Sequence, residues 1–289
     1  SLARAEQVEI LTTATPDTAS QPAGEAFVPA DIQLPLAVRI DQASVSELSI
    51  RDGTETPAFN AESISTALRF DGRTLALQRL EAASTGVSVS LQGQLTPAAD
   101  YPLSLTGHYA FSSEGLPTLT GELSLDGDLQ QLQLDHRTLA PVSTRLVATL
   151  TTLIDKPTWD ARLQVPRFDS AAVNPDWEPV TLQGNAHSQG SLDEYRFELE
   201  THLSRARIPA GSWVVSGTGT SRVIDVHRLR GDTRAGVISA RLRLEEHGRG
   251  CFLAKRSDLL VQLGQLALAA DKGGFGQRGS TIVQPHHVG

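Results

Sequence analysis

Apolar and polar residues alternate along this chain from Leu34 to Leu244 in a long series of short runs, and no other feature restricts its fold so tightly. Val87, Val89, Leu91 and Leu95 hold odd positions, while Ser88, Ser90, Gln92 and Gln94 hold even ones. After Thr96-Pro97-Ala98-Ala99-Asp100 the odd parity resumes with Tyr101, Leu103, Leu105, Tyr109 and Phe111, and Leu123 and Leu125 continue it. A period of two means strands with one apolar and one polar face. Val87, Val89, Leu91, Leu95, Leu103, Leu105, Leu123 and Leu125 are therefore expected on one concave face. Ser88, Ser90, Gln92, Ser104, Glu122 and Ser124 are expected on the other.

Comparable runs include Val45 to Ile50, Ile64 to Phe70, Leu75 to Leu80, Leu119 to Leu129, Leu146 to Leu150 and Val237 to Leu244. Shorter ones lie at Leu132 to Leu134, Ala161 to Val165, Val180 to Leu182, Tyr195 to Leu199, Trp213 to Val215 and Ile224 to Val226. Arg51-Asp52-Gly53, Asp71-Gly72-Arg73, Ser113-Glu114-Gly115, Asp155-Lys156-Pro157 and Gly231-Asp232 supply turn chemistry between runs. At least thirteen strands with no convincing helix between them predict an all-β antiparallel meander. Such a sheet would extend roughly 60 Å at about 4.8 Å per strand, and open sheets beyond about ten strands usually curl, split or close. An x-G-x-L pattern recurs at Gly93, Gly121 and Gly127, with a variant at Gly107. It places glycines on the apolar parity, where they permit a bend or a close approach.

The ends of the chain read differently. Val8 to Leu11 forms the end of a strand, and the stretch to Asp31 a linker rich in Thr, Ala, Pro and Ser, giving a division into 1–31, 32–244 and 245–289. In the last part the alternation fails. Leu259, Leu260, Leu263, Leu266 and Ala267 follow a helical period, with Ser257 as an N-cap, before a Gly-rich end. An irregular or partly helical tail is expected, read either as a capping helix or as non-native residues from a frame shift or vector. The absence of methionine puts the translation start outside this text.

A net charge of −8 argues against nucleic-acid binding. The single cysteine, Cys251, excludes an intramolecular disulfide or a thiolate zinc cluster. Phosphate-loop, nucleophile-elbow, zincin, dinucleotide and paired-cysteine motifs are missing. Asp126-Gly127-Asp128 lacks the further oxygen ligands that calcium requires. No enzyme, cofactor or metal is expected, and the residues leave open whether the apolar face is a closed sandwich core or an open surface.

"LPLAVRIDQASVSELSI" (34–50), "ISTALRFDGRTLALQRLEAASTGVSVSLQGQL" (64–95) and "FDSAAVNPDWEPVTLQGNAHSQGSLDEYRFELE" (168–200), in that order, resemble the amino-terminal to middle part of the TamB family. Asn174-Pro175-Asp176-Trp177 is the most distinctive piece. The family is grouped with AsmA-like and bridge-like lipid-transfer proteins. The resemblance implies a long curled sheet, a β-taco with an open apolar groove, in the periplasm and anchored to the inner membrane by a segment outside this chain. It implies a conduit for phospholipid acyl chains that supports outer-membrane biogenesis and protein assembly. The implied partner is a TamA-like outer-membrane barrel. The eight apolar residues above would then line the groove. A structural or adhesive surface β-protein is the alternative, although its tighter repeats of about 20–30 residues are missing. A polysaccharide-active protein would need aromatic platforms and paired carboxylates.

Overall fold

The computed structural model describes residues 2–11, 31, 37–51, 59–205 and 208–245. Most of the expected linker, Leu34, Leu36, Asp52, Gly53 and the whole tail from 246 lie outside them. In chain order the strands are β1 (Leu2–Leu11), β2 (Val38–Arg51), β3 (Phe59–Ala61), β4 (Ser63–Phe70), β5 (Leu75–Ser84) and β6 (Val87–Leu95). There follow β7 (Leu103–Phe111), β8 (Leu119–Gly127), β9 (Gln131–Ala140), β10 (Thr144–Thr151) and β11 (Thr158–Asp169). After a single helical turn, α1 (Ser170–Val173), come β12 (Val180–Ser191), β13 (Tyr195–Arg205), β14 (Ile208–Gly219), β15 (Val223–Thr233) and β16 (Gly236–Glu245). The chain is all-β, as its alternation predicts.

It divides into two compact units. The first reaches Pro141 and takes in Val147–Pro157; the second takes Val142–Leu146 and runs on from Thr158, so β10 is shared. In the first unit the strand order is β1-β2-β4-β5-β6-β7-β8-β9, with β3 paired to β2. In the second it is β11-β12-β13-β14-β15-β16. Both paths are linear, and neither closes its first strand on its last.

One pairing departs from the meander. β1 lies parallel to β2, from Leu2 opposite Gln42 to Leu11 opposite Arg51. Parallel neighbours need a connection of a dozen or more residues, and 26 residues, 12–37, separate the two strands along the chain. The hairpins β4–β5, β5–β6, β6–β7, β7–β8, β12–β13 and β13–β14 are antiparallel, and their short connections allow nothing else.

Bulges explain where the sequence alternation changes phase. Val38 and Ile40 are even while Val45 is odd, and the β2–β4 register shifts between Ile40 and Ala43, so both runs belong to one strand. Comparable shifts fall between Leu77 and Leu80 in β5, Val165 and Phe168 in β11, and Val226 and Leu229 in β15. An extra residue at each bulge returns the next apolar side chain to its face.

Local turn chemistry fixes the hairpins. Asp71 Oδ1 accepts from the Arg73 and Thr74 amides at 3.0 and 2.7 Å, and Asp128 Oδ1 accepts from Gln130 and Gln131 at 2.8 Å. Three details differ from the sequence reading. Tyr101 sits in the β6–β7 turn at φ +57°, off the strand parity, because the turn closes only at Thr96 N–H to Pro102 C=O. Gly231-Asp232 is not a turn, since β15 runs through it and the reversal falls at Arg234 and Ala235. The helical turn α1 is also new, capped by Asp169 Oδ1 accepting from the Ala171 amide at 3.1 Å.

Candidate functional site

Cross-strand pairing decides which side chains share a face. In the first unit, Val87, Val89, Leu91 and Leu95 lie opposite Phe111, Tyr109, Gly107 and Leu103, and Leu105 lies opposite Gly93. Leu105, Gly107 and Leu103 in turn face Leu125, Leu123 and Gly127. Val87, Val89, Leu91, Leu95, Leu103, Leu105, Leu123 and Leu125 thus occupy one face. Leu132, Leu134 and His136 extend it on β9, and Leu75, Leu77, Leu80 and Ala82 on β5. Leu68, Phe70, Val38 and Ile40 carry it onto β4 and β2. Ser88, Ser90, Gln92, Ser104, Glu122 and Ser124 occupy the opposite face. A depression of about 550 Å³ is lined by residues of both parities, among them Ser65, Glu81, Ser90 and His108 with Val89, Tyr109 and Gly121.

The second unit repeats the arrangement. Trp159, Ala161, Leu163 and Val165 on β11 align with Gly190, Ser188, Ala186 and Gly184 on β12. Those align with Tyr195, Phe197, Leu199 and Thr201 on β13. The face continues through Gly219, Gly217, Val215 and Trp213 to Ile224, Val226, Leu229 and Gly231, and then to Ile238, Ala240, Leu242 and Leu244.

The apolar faces stay largely half-buried. Buried hydrophobic residues are few among the described residues: Ala61, Ala67, Phe70 and Ala148 in the first unit, and Trp213, Val226 and Leu229 in the second. Of these, the small Ala61 is sealed to 1% exposure, whereas Phe70, Trp213, Val226 and Leu229 keep 6–8%. A sandwich core with a second sheet at about 10 Å would seal such a face.

The glycines on the apolar parity have a function that sequence reasoning missed. Tyr109 lies over Gly121, Tyr195 over Gly219 and Trp213 over Gly231, each glycine directly opposite on the following strand. A Cβ at these positions would meet ring carbons at 2.4–2.6 Å. Leu91 covers Gly107 in the same way. The aromatic rings therefore lie across the sheet, as aromatic side chains do when they cover cross-strand glycines. The x-G-x-L repeat carried part of this signal, since it marks Gly107 and Gly121 but not Gly219, Gly231 or any partner side chain.

Polar groups interrupt the apolar faces at few places. Tyr109 Oη and His136 Nε2 are hydrogen-bonded at 2.8 Å, with rings parallel to within 3°. Trp159 Nε1–H donates to Ser188 Oγ at 3.0 Å. Trp213 Nε1 is buried without a partner. Burial raises the Tyr195 phenol above its ordinary value. At the rim Arg205 is held by Glu178 through Nη2 at 2.6 Å and Nε at 3.1 Å, and that hydrogen bond keeps its guanidinium charged.

The polar faces hold exposed ion pairs. Arg162 meets Asp160 at 3.6 Å, with His187 Nε2 hydrogen-bonded to the same carboxylate at 3.1 Å, and Arg243 meets Asp225 at 3.4 Å. Pairs this exposed contribute about 0–1 kcal/mol and serve mainly to solvate the face. Among the described residues no group of His, Cys, Asp and Glu is placed to hold a metal, and no helix is long and apolar enough to cross a membrane.

An open antiparallel β-protein that presents an aliphatic face on each unit, with a solvated face behind it, offers apolar surface for contact. A family model described as the TamB N-terminal domain matches residues 2–245. The chain belongs to the TamB family, a family of non-enzymatic, envelope-associated transport and assembly components. Compared with curated proteins and with solved structures, it finds no match in either.

Proposed function

We propose that the aliphatic faces line a path for phospholipid acyl chains, making this chain a segment of a periplasmic conduit that supports outer-membrane biogenesis and protein assembly. In this reading a segment outside the chain anchors it to the inner membrane, and a TamA-like outer-membrane barrel receives the far end. The observation that carries the proposal is the persistence of half-exposed leucine and valine rows across adjacent strands, such as Leu91, Leu105 and Leu123 on β6 to β8. An acyl chain laid on such rows gains about 0.8 kcal/mol for each CH₂ removed from water. It needs no catalytic side chain.

The test is photo-crosslinking in cells. Crosslinkers at Leu91, Leu105 and Leu123 are expected to capture phospholipid, and crosslinkers at Ser90 and Ser104 are not. Leu105→Asp should block passage while the sheet still folds, because an unpaired charge in the path is costly to desolvate. Equal labelling of both faces, or none, would favour a structural or adhesive role. Global unfolding of Leu105→Asp by several kcal/mol would identify a closed core instead.

A further inference from the structure

We propose that the Tyr109–His136 pair is a hydrogen-bonding station for the polar head of a phospholipid whose acyl chain lies along the strands of the first unit; this rests on the conduit reading above. Polarity on the apolar face changes along the strand direction. At the end nearest the Asp71 and Asp128 turns the cross-strand row is Phe70, Leu75, Leu95, Leu103 and Leu132. The next row inward contains Leu68, Leu77, Leu105, Leu125 and Leu134. His136 enters the third row beside Leu91 and Leu123. Tyr109 and Thr138 flank Gly121 in the fourth. Beyond it, Val87 and Phe111 are 38% and 47% exposed and mark the rim.

From Leu95 to Val89, opposite Tyr109, is about 20 Å at roughly 3.3 Å per residue. One leaflet of a membrane's hydrocarbon core is about 15 Å deep. An acyl chain with its end on the Leu95–Leu103 row therefore brings its ester and phosphate to the level of Tyr109 and His136.

The pair has a donor to spare. A neutral imidazole carries one N–H and a phenol one O–H, and their mutual bond uses one of the two. Whichever tautomer holds, one N–H or O–H is left, and neither side chain has another hydrogen bond among the described residues. Gly121 keeps the Tyr109 ring flat over β8, with the hydroxyl reaching β9. The remaining donor therefore sits on an aliphatic surface where a ligand oxygen would be its acceptor.

The experiment measures displacement of an apolar dye from the full chain by palmitoyl lysophosphatidylethanolamine and, in parallel, by hexadecane. Tyr109→Phe keeps the ring over Gly121 and removes only the hydroxyl, but by itself it frees the imidazole N–H, so it is combined with His136→Phe to leave no donor at the station. The double change is expected to weaken the lysophospholipid about tenfold, the size of one hydrogen bond to a charged acceptor, and to leave hexadecane unchanged. Either single change, which keeps one donor, should cost less. A diazirine at the terminal carbon of the chain should label the Leu95–Leu103 row, and one in the head group the Tyr109–Thr138 level. Unchanged lysophospholipid affinity, equal weakening of both ligands, or a reversed labelling pattern overturns the station while leaving the conduit standing. Failure of the unaltered chain to bind either ligand removes the conduit reading and the station with it.

Discussion

At the scale of single residues, the stabilising contacts are short-range and separable. The Asp71 carboxyl is held below its ordinary value first by the Thr74 amide and then by that of Arg73. A depressed carboxylate stabilises the fold above the unfolded pKa of about 3.9 and stops doing so as pH falls through the folded value. Asp71→Ala should therefore lower the melting temperature at pH 7, and the difference from the parent should fade below about pH 4. Gly231 offers a steric test. Gly231→Val would drive a side chain into the Trp213 ring, which a Cβ already meets at 2.6 Å. Denaturant titration should show a loss of about 1–3 kcal/mol. With Trp213→Leu added, the pair of changes should destabilise by less than the sum of the two.

At the scale of elements, hairpins and one built loop position the faces. The link from β11 to β12 is organised by Ser170, 4% exposed, whose Oγ donates to Glu178 C=O at 2.9 Å and accepts from the Val180 amide at 2.8 Å. Asn174 adds an Asx contact to the Asp176 amide at 2.8 Å and accepts the Trp177 amide on its carbonyl at 3.1 Å. Ser170→Ala strands the Val180 amide and should cost about 1–3 kcal/mol by chemical denaturation. Trp177→Ala, at a side chain 46% exposed, should stay within about 0.5 kcal/mol in the same measurement. The opposite outcome would mean that the indole, not the serine, organises the loop.

For the whole molecule, the consequence of two unsealed apolar faces is that folding and apolar exposure coexist. An apolar dye should bind while near-ultraviolet circular dichroism remains that of the folded protein. A chain that bound dye only after losing that signal would have its apolar faces sealed in the native state. The same faces explain the lean aromatic content of 5%. A surface of leucine, valine and flat rings over glycine is served by short side chains, whereas a thick globular core draws on large ones.

The period of two belongs to the covalent geometry of an extended chain. It assigned Val87 to Leu95 and Ser88 to Gln94 to opposite faces without reference to anything distant. Turns such as Asp71-Gly72-Arg73 were equally legible, because an aspartate and the amides that donate to it lie within three residues. Even the bulges left a trace, as apolar residues three apart at Leu77 and Leu80. The sequence also carried the family resemblance through the order of its segments. What only the tertiary structure decided concerns neighbours far apart in the chain. The parallel seat of β1 on β2, the Trp213 ring above Gly231 and the reach of Tyr109 across Gly121 to His136 all depend on which strands lie side by side and in what register. Local pattern says which way a side chain points; only strand pairing says what it meets.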